Sequence, residues 1–339
     1  MKAVAYRKAL PIHHTESLQD VELPAPELGP HDLLVDVQAV SVNPVDTKIR
    51  ANAEPAEGQW RVLGWDAVGT VRAIGSLVTL FKRGDRVWYA GAIDRQGSNA
   101  EQQVVDERIA AHAPQSLSNA DAAALPLTAI TAWELLFHRL GVGLGESSSE
   151  QSLLIIGAAG GVGSILTQLA RELTGLTVIG TASRPETAAW ARSMGAHHVL
   201  DHGQPLAEAW HQAGLAPPQY VVSLTQSAQH FAQVAELIAP QGRYGLIDDP
   251  APGSIDIGKL KRKSVSLHWE LMFTRSMYET PDMIEQHLLL SKVARLVDAR
   301  RLRSTQGEHF GRINAANLRR AHALLESGKA RGKIVLEGF

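Results

Sequence analysis

The chain has 339 residues, 45% hydrophobic and 20% charged, with a formal net charge of -2. That length suits two domains of ~100–200 residues each, and the composition excludes a disordered or low-complexity chain. Charges of both signs interleave, which excludes a broad field for nucleic acid or a membrane; the one dense basic run, 259–263, reads as a solvated loop before a strand.

There is no cysteine. Disulfides, thiolate nucleophiles and cysteine-ligated metals are therefore excluded. The opening Met1-Lys2-Ala3-Val4-Ala5-Tyr6 lacks the apolar core of a signal peptide. No stretch reaches the ~18 uninterrupted apolar residues of a membrane span, so a soluble cytoplasmic protein is expected.

In chain order, the first ~120 residues read as short β-type runs broken by turn residues. These are 32–42, 67–74 and 84–89. After Pro114, Ser118 and Asp121 form a capping box ahead of one long helical stretch through Leu135, Leu136 and Leu140. From Ser152 onward buried strands alternate with amphipathic helices, the strands falling at 153–156, 177–181, 198–201, 220–224, 244–247 and 265–269. That alternation predicts a doubly wound parallel sheet. Helical patterns at 281–300 and 314–326 precede a last strand at 333–336, which has no place in the six-strand set and returns to the first domain.

Gly157-Ala158-Ala159-Gly160-Gly161-Val162-Gly163 follows an apolar strand and opens an amphipathic helix, the context a dinucleotide-binding turn requires. Its glycines let backbone amides approach a pyrophosphate at a helix amino terminus, with Gly160, Gly161, Val162 and Gly163 as the contacts. Ala158 stands where the commonest form has glycine. The next strand ends Gly180-Thr181-Ala182-Ser183-Arg184, without the carboxylate that binds a free ribose 2′-hydroxyl. The Ser183 hydroxyl and the Arg184 guanidinium can instead hydrogen-bond a 2′-phosphate, so NADPH is the expected cofactor. Ser183 also reads as a cap for the helix beginning at Pro185.

With the segments Ser41-Val42-Asn43-Pro44-Val45-Asp46, Leu63-Gly64-Trp65-Asp66-Ala67-Val68-Gly69, Gly84-Asp85-Arg86-Val87, the run from Leu125 to Trp133 and Gly332-Lys333-Ile334-Val335-Leu336, the chain resembles the medium-chain dehydrogenase/reductases. The likeness is to their quinone-oxidoreductase branch and to the zinc-type alcohol dehydrogenase-like proteins, and it covers essentially the whole chain. It implies an α/β protein with a GroES-like β-barrel catalytic domain, 1–122 and 271–339, and a Rossmann NADPH-binding domain, 123–270. A catalytic cleft is implied where they meet.

Zinc alcohol dehydrogenases of the family hold their metal with Cys at the position of Asn43 and His at that of Trp65, and neither replacement serves equivalently. Only Asp66 matches an acidic position there. The adjacent pairs His13-His14 and His197-His198 would point apart on strands, so no metal is expected.

The resemblance then implies a zinc-independent reductase that passes hydride to a small-molecule quinone or α,β-unsaturated carbonyl. It gives Asn43 the orienting role beside nicotinamide and substrate. Lys48 stands where relatives have Tyr, and reads either as a group that donates a proton or stabilises an oxyanion, especially if burial lowers its pKa, or as a solvated lysine near Asp46. Trp65, Met272 and Phe273 are expected at the substrate pocket or in the core. Thr128 and Thr131 run under the nicotinamide or bond their own helix. His202 is placed against the adenine, and Leu224, Leu246 and Ile247 lie at the carboxyl ends of strands where ligands bind. The strand at 265–269 is an edge that implies a homodimer. A true zinc alcohol dehydrogenase and a non-catalytic NADPH-binding redox sensor remain as alternatives. The physiological substrate is not legible, because loops 51–60 and 92–99 carry no readable code.

Overall fold

Alternation of apolar and polar side chains sets the strands of the amino-terminal region. They are β1 (Lys2–Tyr6), β2 (Gln19–Glu22), β3 (Asp32–Val42), β4 (Arg61–Val62), β5 (Ala67–Ile74), β6 (Arg86–Tyr89), β7 (Gln102–Asp106) and β8 (Ala110–His112). β3 buries Leu33, Val35, Val37 and Ala39, every second residue, and pairs antiparallel with both β5 and β7. It stops at Asn43, because Pro44 has the fixed φ of a first helical residue and starts α1 (Pro44–Asn52). The computed structural model describes residues 1–145 and 151–339. They divide into two units, Met1–Ile130 with Phe273–Phe339, and Thr131–Met272.

Ser118 caps α2 (Asn119–Ala123), accepting from the Asp121 amide at 3.1 Å. The single long helix expected after it is broken instead. Pro126 begins α3 (Pro126–Trp133), and Glu134–Arg139 widens into a π-helical turn. Asn119–Arg139 is long and apolar enough to cross a membrane by length and composition, yet 89% of its most apolar window is buried inside the protein.

The second unit alternates β9 (Ser152–Ile156), α4 (Gly161–Leu173), β10 (Thr177–Thr181), α5 (Pro185–Ser193), β11 (His198–Leu200), α6 (Leu206–Gln212), β12 (Tyr220–Ser223), α7 (Ser227–Leu237), β13 (Arg243–Leu246) and β14 (Ser266–Trp269). All six strands are parallel, in the order β11-β10-β9-β12-β13-β14. The chain leaves β9 toward one edge and returns to its other side as β12, so the switch point lies beyond the ends of these two strands. Leu154, Ile156, Ile179, Val221, Phe231, Tyr244 and Leu246 form its core.

The tail contributes α8 (Thr274–Met277), α9 (Glu285–Asp298), β15 (Gln306–His309), α10 (Ala315–Glu326) and β16 (Lys333–Glu337) to the first unit. β16 runs antiparallel to β3, with Ile334 opposite Val42 and Val335 opposite Ser41. This register sets Lys333, one residue earlier, beside Asn43 at the end of β3. The division at 130/131 comes later than the expected 122/123, and the Asp66 carboxylate, which accepts from the Leu127 amide at 2.8 Å, ties the start of α3 to the first unit.

The histidine pairs do not lie as expected. His14 caps a short turn, its Nδ1 accepting from the Glu16 amide, and His197 precedes β11 with its Nδ1 accepting from the Val178 amide at 2.9 Å.

Candidate functional site

In the first unit, β3, β16 and the Gly64-Trp65-Asp66 segment bring one lysine, one amide and two carboxylates together in the interior. Lys333 is 3% exposed and its Nζ donates to the Val42 carbonyl at 3.1 Å, to Asp66 Oδ2 at 2.9 Å and to Asn43 Oδ1. A lysine ammonium only donates, so the oxygen of the Asn43 amide must face it. Asn43 Nδ2 then points to Asp66 Oδ2 at 2.7 Å and to the Trp65 carbonyl at 3.2 Å. Asp66 also accepts from Ser41 Oγ at 3.1 Å. Burial pushes the Asp66 carboxyl above its ordinary range, opposed by the Lys333 ammonium, the Leu127 N–H and the Asn43 amide.

Asp46, on α1, accepts from the Asn43 N–H at 2.7 Å through Oδ2, while its buried Oδ1 has no hydrogen-bond partner among the described residues. Burial pushes its carboxyl up to about 7, against the pull of the Asn43 N–H and the Lys333 ammonium.

This geometry changes two sequence expectations. Both Nδ2 hydrogens of Asn43 are committed to protein acceptors, which leaves none for a substrate oxygen. Lys48 is exposed on α1, so the burial that would have favoured it as a proton donor is absent. Trp65 is fully buried, its Nε1 donating to the Ala92 carbonyl at 3.1 Å, and Phe273 meets it edge-on at 6.1 Å between ring centroids. Both rings, like Met272 in the second unit, are core residues.

In the second unit the glycine turn joins β9 to α4. A Cβ on Gly163 would lie 2.4 Å from the Gly157 carbonyl oxygen and 2.7 Å from Ala158 Cα, so only glycine fits. Gly180 answers the Ala158 exception, because a Cβ there would stand 2.7 Å from the Ala158 methyl. Room for that methyl comes from the neighbouring strand. Gly160 precedes α4 in extended conformation with no side-chain cap, which leaves the first amides of the helix to a ligand. The turn therefore fits the pyrophosphate of a dinucleotide.

At the end of β10, Arg184 is itself the residue preceding α5 and Ser183 is exposed, so the cap expected from Ser183 is replaced by Thr187, whose Oγ1 accepts from the Arg184 amide at 3.2 Å. Arg184 Nε lies 3.0 Å from Glu186 Oε1, a carboxylate that the strand end itself lacks. His202 Nδ1 is 3.0 Å from Thr181 Oγ1, which also accepts from the Gly157 amide, and the His202 ring lies 5.9 Å from that of His230. Burial holds both imidazoles below the ordinary histidine range.

Leu224 and Ile247 sit half-buried just past β12 and β13, where their amides donate to the Ile156 and Ser223 carbonyls. Leu246 belongs to the core and cannot touch a ligand through its side chain. Thr128 Oγ1 donates to the Leu125 carbonyl at 3.0 Å, the helix-bonding option, and Thr131 is buried.

Sequence reasoning missed the roles of Lys333 and His230. Lys333 stands in the Gly332–Leu336 segment that carries the resemblance, but only the strand register shows what it meets.

Two family profiles match the chain: "Alcohol dehydrogenase GroES-like domain" over residues 29–115 and "Zinc-binding dehydrogenase" over residues 194–336. A zinc-type alcohol dehydrogenase-like protein of Staphylococcus aureus is 40% identical over 99% of each chain. A quinone oxidoreductase of Pseudomonas aeruginosa is 30% identical over 91% of this chain and 92% of the relative. Among solved structures, a Rhizobium etli protein with the provisional name of zinc-dependent alcohol dehydrogenase is 56% identical with a TM-score of 0.96, covering 100% of this chain and 98% of its own. A mycobacterial protein solved with NADPH is 28% identical with a TM-score of 0.83, covering 99% of this chain and 100% of its own.

Several of these names carry zinc, and the donors here do not fit it. Among the described residues no group of three or more His, Cys, Asp or Glu side chains is placed to hold a metal ion. The Asn43 amide is held by Lys333 and Asp66, and the one polar side-chain atom of Trp65 is bonded to Ala92. The chain belongs to the medium-chain dehydrogenase/reductase superfamily, in the quinone oxidoreductase-like branch that includes the zinc-type alcohol dehydrogenase-like proteins.

Proposed function

We propose that the protein is an NADPH-dependent reductase that transfers hydride to a quinone or an α,β-unsaturated carbonyl without zinc, and that it works as a homodimer. The observation that supports the reading is the Lys333–Asp66–Asn43 network, a buried ammonium bonded to Asn43, the position at which the resemblance gives zinc-binding relatives a Cys ligand. Bound NADPH would supply the hydride. Gly160, Gly161, Val162 and Gly163 would hold its pyrophosphate, Ser183 and Arg184 its 2′-phosphate, and His202 its adenine.

The remaining roles are proposed as follows. Asn43 is given a framework role, holding the Trp65 backbone and the start of α1 in place through its amide and its N–H. Lys48 is kept in this reading as the candidate proton donor, without help from burial, since it is exposed on α1. Thr128, whose hydroxyl is bonded to the Leu125 carbonyl, and Thr131 would act on the nicotinamide only through apolar or backbone contact, and Leu224 and Ile247 would offer backbone at the strand ends. The unpaired edge of β14 supports the dimer, since an uncovered edge strand is a template for pairing.

The deciding experiment follows NADPH oxidation by chelator-treated protein against quinones, enones and simple aldehydes, with NADH in parallel. Turnover of a quinone or enone with NADPH, and little with NADH, is the expected result. A silent panel in which added zinc restores aldehyde reduction would overturn the metal-free reading.

A further inference from the structure

One threonine of the Thr131–Met272 unit is bonded both to the glycine turn and to the histidine given to the adenine. Thr181, the last residue of β10, is fully buried, and two amides of the turn rest on it. Gly157 N–H donates to its Oγ1 at 3.2 Å, and Ala158 N–H to its carbonyl at 3.3 Å. Gly157 has a φ of +86°, in the left-handed region, where the chain turns off β9, and a side chain holds its amide there. On its other side Oγ1 lies 3.0 Å from His202 Nδ1.

Counting hydrogens fixes the direction of these bonds. A threonine hydroxyl has one hydrogen to give, and the Gly157 N–H already occupies one acceptor position of Oγ1. Among the described residues the one acceptor placed for the hydroxyl hydrogen is His202 Nδ1. The reverse bond, from Nδ1–H to Oγ1, would leave a fully buried hydroxyl hydrogen unpaired. The run is therefore Gly157 N–H to Thr181 Oγ1, then Thr181 O–H to His202 Nδ1. It requires a neutral imidazole with its proton on Nε2.

The surroundings of the ring favour that state. The His230 ring on α7 stands 5.9 Å away at 54°, and is itself buried, so a charge on either imidazole would sit beside the other. Burial holds His202 below the ordinary histidine range, against the pull of the adjacent Asp201, whose carboxylate accepts from the Gly203 amide at 2.8 Å. Burial and the neighbouring His202 likewise hold His230 down.

We propose that Thr181 is a positioning residue of the cofactor site: its hydroxyl couples the first amide of the glycine turn to His202, so that turn and imidazole are set for the dinucleotide together, before it arrives. The inference rests on the NADPH reading for the identity of the ligand. The run of hydrogen bonds lies within one unit and stands on the contacts alone.

Two substitutions separate this role from packing. Thr181→Val keeps the volume and the β-branched shape that suit a buried strand, and loses donor and acceptor together. Gly157 N–H is then unpaired, the turn must be ordered at the moment of binding, and nothing selects the Nε2–H tautomer of His202. Thr181→Ser restores the hydroxyl on a smaller side chain. A packing role for Thr181 gives the opposite order, with valine the milder change.

The test uses the full chain. Without nucleotide, nitrogen NMR of the imidazoles reports the tautomer, the His202 signals being identified by their loss in His202→Leu, and hydrogen exchange reports the Gly157 and Ala158 amides. Wild type and Thr181→Ser are expected to hold the His202 proton on Nε2. Thr181→Val is expected to lose that preference and to exchange ~10-fold faster at Gly157. In fluorescence titrations Thr181→Val is expected to bind NADPH and NADH each about 3- to 10-fold more weakly, the equivalent of one hydrogen bond, with Thr181→Ser close to wild type. Both nucleotides lose alike because Thr181 acts on the turn and not on the 2′-phosphate. If Thr181→Val fails to fold, Thr181→Ala takes its place with the same expected outcomes. A wild-type His202 with its proton on Nδ1, a valine variant with unchanged tautomer and exchange, or one that binds NADPH as wild type does, overturns the proposal. A wild type that binds neither nucleotide refutes the NADPH reading instead, and tautomer and exchange still decide whether Thr181 couples the turn to His202.

Discussion

Replacing Lys333 by Met keeps the reach of the side chain and removes its charge. In this structure the change strips from the fully buried Asp66 carboxylate the one cation paired with it among the described residues, and withdraws the donor from the Val42 carbonyl and Asn43 Oδ1. Removing one partner of a buried ion pair costs about 3–5 kcal/mol, because the remaining charge is uncompensated. Asp66 can escape part of that loss by taking up a proton, and burial already pushes it in that direction. The loss is therefore larger at higher pH and shrinks as pH falls, since a carboxyl raised on folding is stabilised as pH falls. The double variant Lys333→Met with Asp66→Asn removes both charges and is expected to recover more than half of the deficit. Urea denaturation followed by tryptophan fluorescence, at about pH 5 and about pH 8, gives each value. The counter-ion assignment is refuted if the single variant stays within about 1 kcal/mol of wild type at the higher pH, or if the double variant is no better than the single one.

Three further outcomes are expected. Gly163→Ala drives a methyl into the Gly157 carbonyl and Ala158, and should weaken NADPH binding, read by fluorescence titration, by at least ~10-fold with far-UV circular dichroism unchanged; wild-type affinity would sink the turn's assignment. Arg184→Ala should lower NADPH affinity by ~10-fold while leaving NADH within ~2-fold, and an equal loss for both would deny it the 2′-phosphate. Asp46 is raised to about 7 on folding, so its contribution to stability is full in acid and declines by at most about 1.4 kcal/mol per pH unit as pH climbs to that value. Thermal melts of Asp46→Asn should lack this part of the decline, and identical pH profiles for both proteins would refute it.

The parallel sheet was legible because fully buried strands appear as short apolar runs between helical periods, and the predicted strands differ from the observed ones by at most a residue at either end. β3 and β5 were readable to the residue from their alternation. The stretch from Asn119 to Arg139 was not, because Pro126 and the π-helical turn change the helix without changing its apolar content. The glycine turn was legible as contiguous sequence. The demand on Asn43 was not, since it comes from a lysine 290 residues later that arrives through the pairing of β16 with β3. Glu186, which engages Arg184, was visible in sequence but not its direction.

The same network constrains the reaction. A buried carboxylate needs a counter-ion whether or not a metal is nearby, and Lys333 meets that need for Asp66. An ammonium has three hydrogens, and those of Lys333 are directed at Val42 O, Asn43 Oδ1 and Asp66 Oδ2. The two amide hydrogens of Asn43 are also committed. Among the described residues, the Lys333 and Asn43 hydrogens of this corner are all committed, so in the proposed reaction acid assistance to a developing oxyanion would come from an exposed group such as Lys48 or from water. Reducing a simple ketone or aldehyde builds an alkoxide that needs strong polarisation at oxygen. A quinone or enone delocalises the incoming charge over its own conjugated system, so weak assistance is sufficient. It is the acceptor class that this arrangement of committed donors suits.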